Sequence, residues 1–166
     1  LWRRSTMTAA VSFDLVEYLK TNSIFQGMSD DQIKTLANAA QLRSFDEGEC
    51  LFKQAESADY CYIVVSGTVS VEIPSIYAPP LVVQTISEEG VLGWSWLIPP
   101  YEWTFEADAK AATEVIQFDG KALRDACEAD PALGYQLMKR FASLMSQRLH
   151  EAREKMMDTW SAPGFA

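Results

Sequence analysis

The chain has 166 residues, 48% of them hydrophobic and 22% charged, which fits one globular core rather than a disordered segment. Fourteen Lys and Arg against 23 Asp and Glu give a formal net charge of −9. This balance argues against a protein that wraps nucleic acid or clings to an anionic membrane, because both demand a basic face.

In chain order, residues 1–11 read as a flexible N-terminal extension. Leu1-Trp2-Arg3-Arg4 has no apolar run behind it and so is not a signal peptide, and Met7 is a plausible start. Ser12 to Lys20 carries Phe13, Val16 and Leu19 at helical spacing. Ser29-Asp30-Asp31-Gln32 is a helix start, with Ser29 as cap and Gln32 closing a capping box, and the helix runs to about Ala40.

From Gln41 the period changes to that of strands. Strands are expected at Gln41–Phe45, Cys50–Lys53, Tyr60–Val65, Thr68–Ile73, Leu81–Ile86, Trp103–Ala109 and Ala112–Phe118, separated by Gly- or Pro-bearing turns. Short strands at this spacing predict a barrel or sandwich over about 41–118.

Helices return after Gly120. One covers Lys121–Glu128, and a long one begins at Pro131 with Asp130 as its cap. Met138, Phe141, Met145, Leu149, Ala152 and Met156 follow one another at steps of three or four, a seam longer than one small roll can cover. Dimerisation through Met138, Phe141, Met145, Leu149 and Met156 is the favoured reading; docking of the whole stripe on its own roll is the other. The helix should end at Ser161-Ala162-Pro163-Gly164, leaving 161–166 as a frayed tail. The whole is one domain over 12–160, with C-terminal helices at about 121–160.

Cys50, Cys61 and Cys127 form neither a metal spacing nor an even framework, which suggests reduced thiols and a cytoplasmic setting. No apolar run reaches the roughly 20 residues of a membrane span. The sole histidine, His150, lies among Arg148, Glu151 and Arg153 on the long helix, a solvated position. One histidine cannot build a cupin-type metal centre, and no phosphate loop or nucleophile elbow is present, so neither a metal site nor an enzyme is expected.

Local motifs resemble the cyclic nucleotide-binding domain family, the sensor of the catabolite activator and FNR regulators. Ile24-Phe25-Gln26-Gly27-Met28-Ser29 is similar to the family's entry motif. Gly48-Glu49-Cys50-Leu51-Phe52-Lys53-Gln54, followed by Tyr60 to Val71 with Ser66-Gly67, is similar to its "G..if..G....yiilsG.v.v" core; Ala55 stands where a glycine is usual. The resemblance covers about Phe13 to Arg153. It implies an antiparallel β-roll with N-terminal helices and a long C-terminal helix.

The resemblance also implies a phosphate-binding cassette at Leu92 to Ala107. In the family a Glu there meets the ribose and an Arg pairs with the cyclic phosphate. Here Gly93 and Thr104 match, Trp94 stands at the Glu and Trp103 at the Arg. No arginine occurs between Arg43 and Arg124, and Lys53 and Lys110 are the only lysines of the roll. Losing a charge-assisted pair to a buried anion costs about 2–5 kcal/mol, so the usual mode of holding cAMP or cGMP is not expected.

Two readings of the tryptophans follow. Either Trp94 and Trp103, with Gly93, Ser95 and Thr104, line a pocket for a planar or weakly charged ligand, or they fill the old pocket. The first predicts a stand-alone regulatory sensor without a cofactor, signalling through its C-terminal helix to an effector protein, with a homodimer as its frame. The second predicts a scaffold for dimerisation or protein interaction; a cyclic nucleotide bound in an atypical way is a further alternative. The chain ends soon after the long helix, so no DNA-reading output and no nucleic-acid partner is expected within it.

Overall fold

The computed structural model describes residues 13–160. The expected N-terminal extension at 1–11 and the tail at 161–166 lie outside the described residues. The order is α1 (Leu15–Thr21), α2 (Asp30–Asn38), β1 (Ala40–Phe45), β2 (Cys50–Phe52), β3 (Tyr60–Ser66), β4 (Val69–Ile73), β5 (Leu81–Ile86), β6 (Val91–Leu92), β7 (Glu106–Ala109), β8 (Thr113–Asp119), α3 (Gly120–Ala129) and α4 (Pro131–Trp160).

Helix starts follow local chemistry. Asp14 caps α1 by accepting from the Glu17 amide at 3.0 Å. At α2 the capping box forms in full: the Gln32 amide donates to Ser29 Oγ, and Gln32 Oε1 accepts from the Ser29 amide. Asp130 accepts from the Ala132 and Leu133 amides at the head of α4. Each cap satisfies backbone donors that a helix leaves open at its first turn.

The strands build two four-stranded antiparallel sheets, in the orders β1-β8-β3-β6 and β2-β7-β4-β5. The expected β-roll with flanking helices is the architecture observed. The residues packed between the sheets include Phe45, Phe52, Tyr62, Val64, Val69, Leu92, Trp103 and Val115. A second core lies between the first sheet and the helices, where Cys61, Ile63, Ile116 and Phe118 meet Leu19, Phe25, Leu36, Leu123, Leu133, Leu137 and Phe141. Alternate residues of β3 therefore serve alternate cores, so its run from Cys61 to Val64 is buried on both faces.

Two expectations change. The strand expected from Trp103 begins only at Glu106. Trp103 instead pairs with the loop after β2: its amide donates to the Glu56 carbonyl at 2.9 Å, and its carbonyl accepts from the Ala55 amide at 2.8 Å. Ala55 itself sits at φ +66, a left-handed value that explains why glycine is the usual occupant of that turn.

Phe141 is also not part of an exposed seam. It is 5% exposed, edge-on to Trp96 at 5.5 Å, because the first half of α4 docks on the helix-facing core. Met138, Leu149 and Met156 stay exposed, and from 152 to 158 every described side chain of α4 faces solvent. The three thiols of Cys50, Cys61 and Cys127 are free. No helix among the described residues is long and apolar enough to cross a membrane.

Candidate functional site

The segment between β6 and β7 turns inward because Gly93 takes φ +85, a region open to glycine without steric cost. The missing side chain also makes room. A Cβ at Gly93 would sit 2.6–2.7 Å from the Trp103 ring, closer than any real contact. Trp94 then leads into a short 3-10 turn at Ser95–Leu97.

The three tryptophans of this segment part company. Trp96 is wholly buried in the helix-facing core. Trp103 lies in the roll, 5% exposed and stacked on Phe52 with ring centroids 3.8 Å apart and planes 13° from parallel. Trp94 is half-buried and faces α4.

Gly93, Trp94, Ser95, Trp103 and Thr104 all line one cavity of about 390 Å³. Its floor is Phe52, Val71 and Leu92 with the Trp103 ring, and Val83 and Phe105 form a side wall. Its remaining wall is α4, through Met145, Arg148, Leu149 and Ala152. Two residues expected at a dimer seam, Met145 and Leu149, thus also face a cavity of their own chain. Thr104 is exposed at the rim, and its carbonyl accepts from Gln54 Nε2 at 3.3 Å.

Arg148 was missed by counting arginines only within the roll. It reaches in from α4, places its guanidinium 5.0 Å from the centroid of the Trp94 ring, and donates to the Val91 carbonyl. Burial holds its pKa below the ordinary arginine value, with the Glu151 carboxylate opposing that shift. The signal was available in sequence as a basic residue on the seam beside Leu149, but nothing local ties it to a loop so far up the chain.

The rest of the site's surroundings are structural. Arg124 on α3 donates to the Trp96 carbonyl and lies 4.3 Å over the Tyr101 ring, tying the cassette to the helix that follows the roll. Among the described residues, one group of three acids converges: Glu72, Glu106 and Asp108. Lys110 Nζ already sits 2.7 Å from Glu72 there, and Ser70 Oγ donates to the same carboxylate, which holds Glu72 below the usual carboxylate range. His150 is exposed and 3.3 Å from Glu154, as a solvated position should be. Cys61 is sealed in the core, and burial pushes its thiol up to about 12.

A wider groove of about 910 Å³ lies across Arg148 from this cavity, between the Glu88–Gly90 turn and α4. Its walls carry Glu88, Glu89, Lys139 and Arg140 beside Ile24, Ile86, Val91 and Leu144, and it opens to solvent.

Known proteins place this geometry. The chain is 23% identical over 142 residues to a CRP-like cAMP-activated global transcriptional regulator of Mycobacterium tuberculosis, covering 86% of this chain and 62% of that protein's length. A solved Geobacter metallireducens structure, described as cyclic nucleotide-binding, matches with a TM-score of 0.73 at 29% identity. That match covers 83% of this chain and all of the other. A cyclic nucleotide-binding domain from Methylobacillus flagellatus matches with a TM-score of 0.74 at 16% identity, over 91% of this chain and 84% of its own, and shows the shared fold. The sequence profile described as the cyclic nucleotide-binding domain matches residues 42–130, more than half of the chain, from β1 through the cassette to the end of α3. With its roll, cassette and C-terminal helix in the same order, this chain belongs to the cyclic nucleotide-binding domain family.

Proposed function

We propose that the domain is a regulatory sensor that binds a small ligand in the Trp94–Trp103 cavity and passes occupancy to α4. Through α4 it would act on a second copy of the chain and on an effector protein. One observation carries this reading: the cavity is walled by both the roll and α4. A ligand there touches both, so its affinity depends on where the helix lies, which is the requirement for shifting a population between two helix positions.

The pocket's chemistry favours a ligand other than a conventionally held cyclic nucleotide. Trp94 cannot accept from a ribose hydroxyl as a Glu does, and Trp103 has no charge for a cyclic phosphate. The acidic roll supports a protein partner over nucleic acid. A second reading, a ligand-free interaction scaffold, is favoured by the near-complete burial of Trp103 where a ligand-binding arginine is expected.

Titration calorimetry with cAMP, cGMP and a metabolite panel, run beside Met145→Trp, separates the two. A sensor yields a ligand that binds the native chain, changes tryptophan emission and loses about tenfold or more in affinity when the new indole fills the cavity. Absence of binding across the panel, with Met145→Trp as stable as the native chain, overturns the sensor in favour of the scaffold.

A further inference from the structure

The cassette has lost its cation, yet the cavity has not. Arg148 brings one from α4. Its side chain is half-buried, and no carboxylate of the described residues is paired with it. It satisfies itself with the Val91 carbonyl and the face of Trp94. A guanidinium carries five N–H donors in a fork suited to a carboxylate, so one carbonyl and one ring face leave donors to spare at the cavity wall. A desolvated cation without an anionic partner is costly, and an arriving anion would offset that cost.

The neighbouring charges limit how much anion is wanted. Glu151 and Lys155 join Arg148 on the same wall. Glu151 accepts from Gln147 Nε2 at 2.9 Å, and Lys155 Nζ lies 3.5 Å from the Val83 carbonyl. Arg148 itself carries a single positive charge, which one negative charge balances. The rest of the cavity is mainly apolar, with Gln84, Ser95 and Thr104 as its polar lining, and Phe52 and Trp103 stack on each other in its wall.

We propose that the cavity takes a planar, largely apolar monoanion of the aromatic carboxylic acid class, with its carboxylate paired to Arg148 and its ring against Trp103. The proposal rests on the sensor reading above and goes further in naming the ligand's chemistry and the residue that reads its charge. It also moves the anion contact from the roll to the helix. The ligand's charge then pulls on α4 directly, and Arg148 exchanges part of its contact with Val91 and Trp94 for the carboxylate.

Naphthalene-2-carboxylate and its uncharged counterpart naphthalene-2-carboxamide, titrated into the full chain by calorimetry and tryptophan fluorescence, test this. The carboxylate is expected to bind about tenfold or more tightly than the amide. Arg148→Gln should remove that preference, while Arg148→Lys keeps part of it. Glu151→Gln, which leaves Arg148 in place, should tighten the carboxylate alone by about two- to fivefold.

Equal affinity for the two probes, or a preference that survives Arg148→Gln, overturns the charge assignment while the cavity reading stands on the amide's binding. If neither probe gives heat or alters tryptophan emission, the cavity reading fails and this inference with it. Should Arg148→Gln not fold, Glu151→Gln decides: no gain for the carboxylate overturns the proposal.

Discussion

Gly93 meets two demands that no other residue type meets together. Its φ of +85 charges any L side chain about 1–2 kcal/mol, and the Trp103 ring occupies the space a Cβ would take. Gly48 isolates the first demand: it lies at φ +86 with nothing within 4 Å of an added Cβ. Gly48→Ala should therefore cost about 1–2 kcal/mol, and Gly93→Ala a further 1–3 kcal/mol or so for displacing the indole. Urea midpoints of the two variants measure the difference, and equal losses would mean that the Trp103 ring yields freely. At this scale the candidate site was partly legible. Gly93, Trp94, Ser95, Trp103 and Thr104 are one short stretch and line one cavity, so a local motif could gather them. Arg148 could not be gathered that way, because only the path of α4 across the roll brings it to Trp94. Ala55 shows the reverse case: a departure from the family's glycine, visible as a letter, whose meaning is the positive φ it retains.

Elements were legible where their chemistry is local and obscure where it is not. The caps of α2 and α4 rest on side chains within three residues of the amides they accept from, so the sequence displays them. β6 has two residues, too few for any period, and exists because Tyr62 and Ile63 of β3 pair with it. Trp103 to Phe105 alternates like a strand, but its backbone partners are in a loop. The docking of α4 on the N-terminal helices is equally non-local. Arg140 donates from Nε to the Ile24 carbonyl at 2.6 Å and from a terminal nitrogen to the Gln26 carbonyl, while its other terminal nitrogen meets Gln136. This fork holds the turn between α1 and α2 against the helix that carries the cavity wall. Arg140→Met should cost about 1–3 kcal/mol and speed amide exchange in residues 23–28 above that of the roll. Arg140→Lys should recover little, since one ammonium cannot span two carbonyls in a fixed plane. Unchanged exchange in that turn would show that apolar packing of Phe25 alone holds it.

For the whole molecule, the open question is what the far half of α4 does. Thirty residues make a helix of about 45 Å, longer than the contact its own roll provides. Leu133, Leu137 and Phe141 are buried on that roll, while Leu149 and Met156 are 65% and 71% exposed and seven residues apart, so they fall on one stripe. An apolar stripe on a projecting helix is stabilised by a second like stripe, and a two-fold pair of these helices would supply it. The native chain should then sediment at twice its chain mass at micromolar concentration, and Met156→Glu should reduce it to a monomer with the roll's circular dichroism intact. Met156 is the informative position because Leu149 also lines the cavity. A change at Leu149 would confound ligand affinity with assembly, whereas Met156→Glu leaves the cavity wall untouched. If ligand occupancy is read out through the helix pair, the Met156→Glu monomer should still bind ligand but with an altered affinity, because the partner helix no longer biases the position of Arg148. A native chain that is monomeric throughout would assign the stripe to a different protein, and the same Met156→Glu substitution would then be expected to abolish that contact instead.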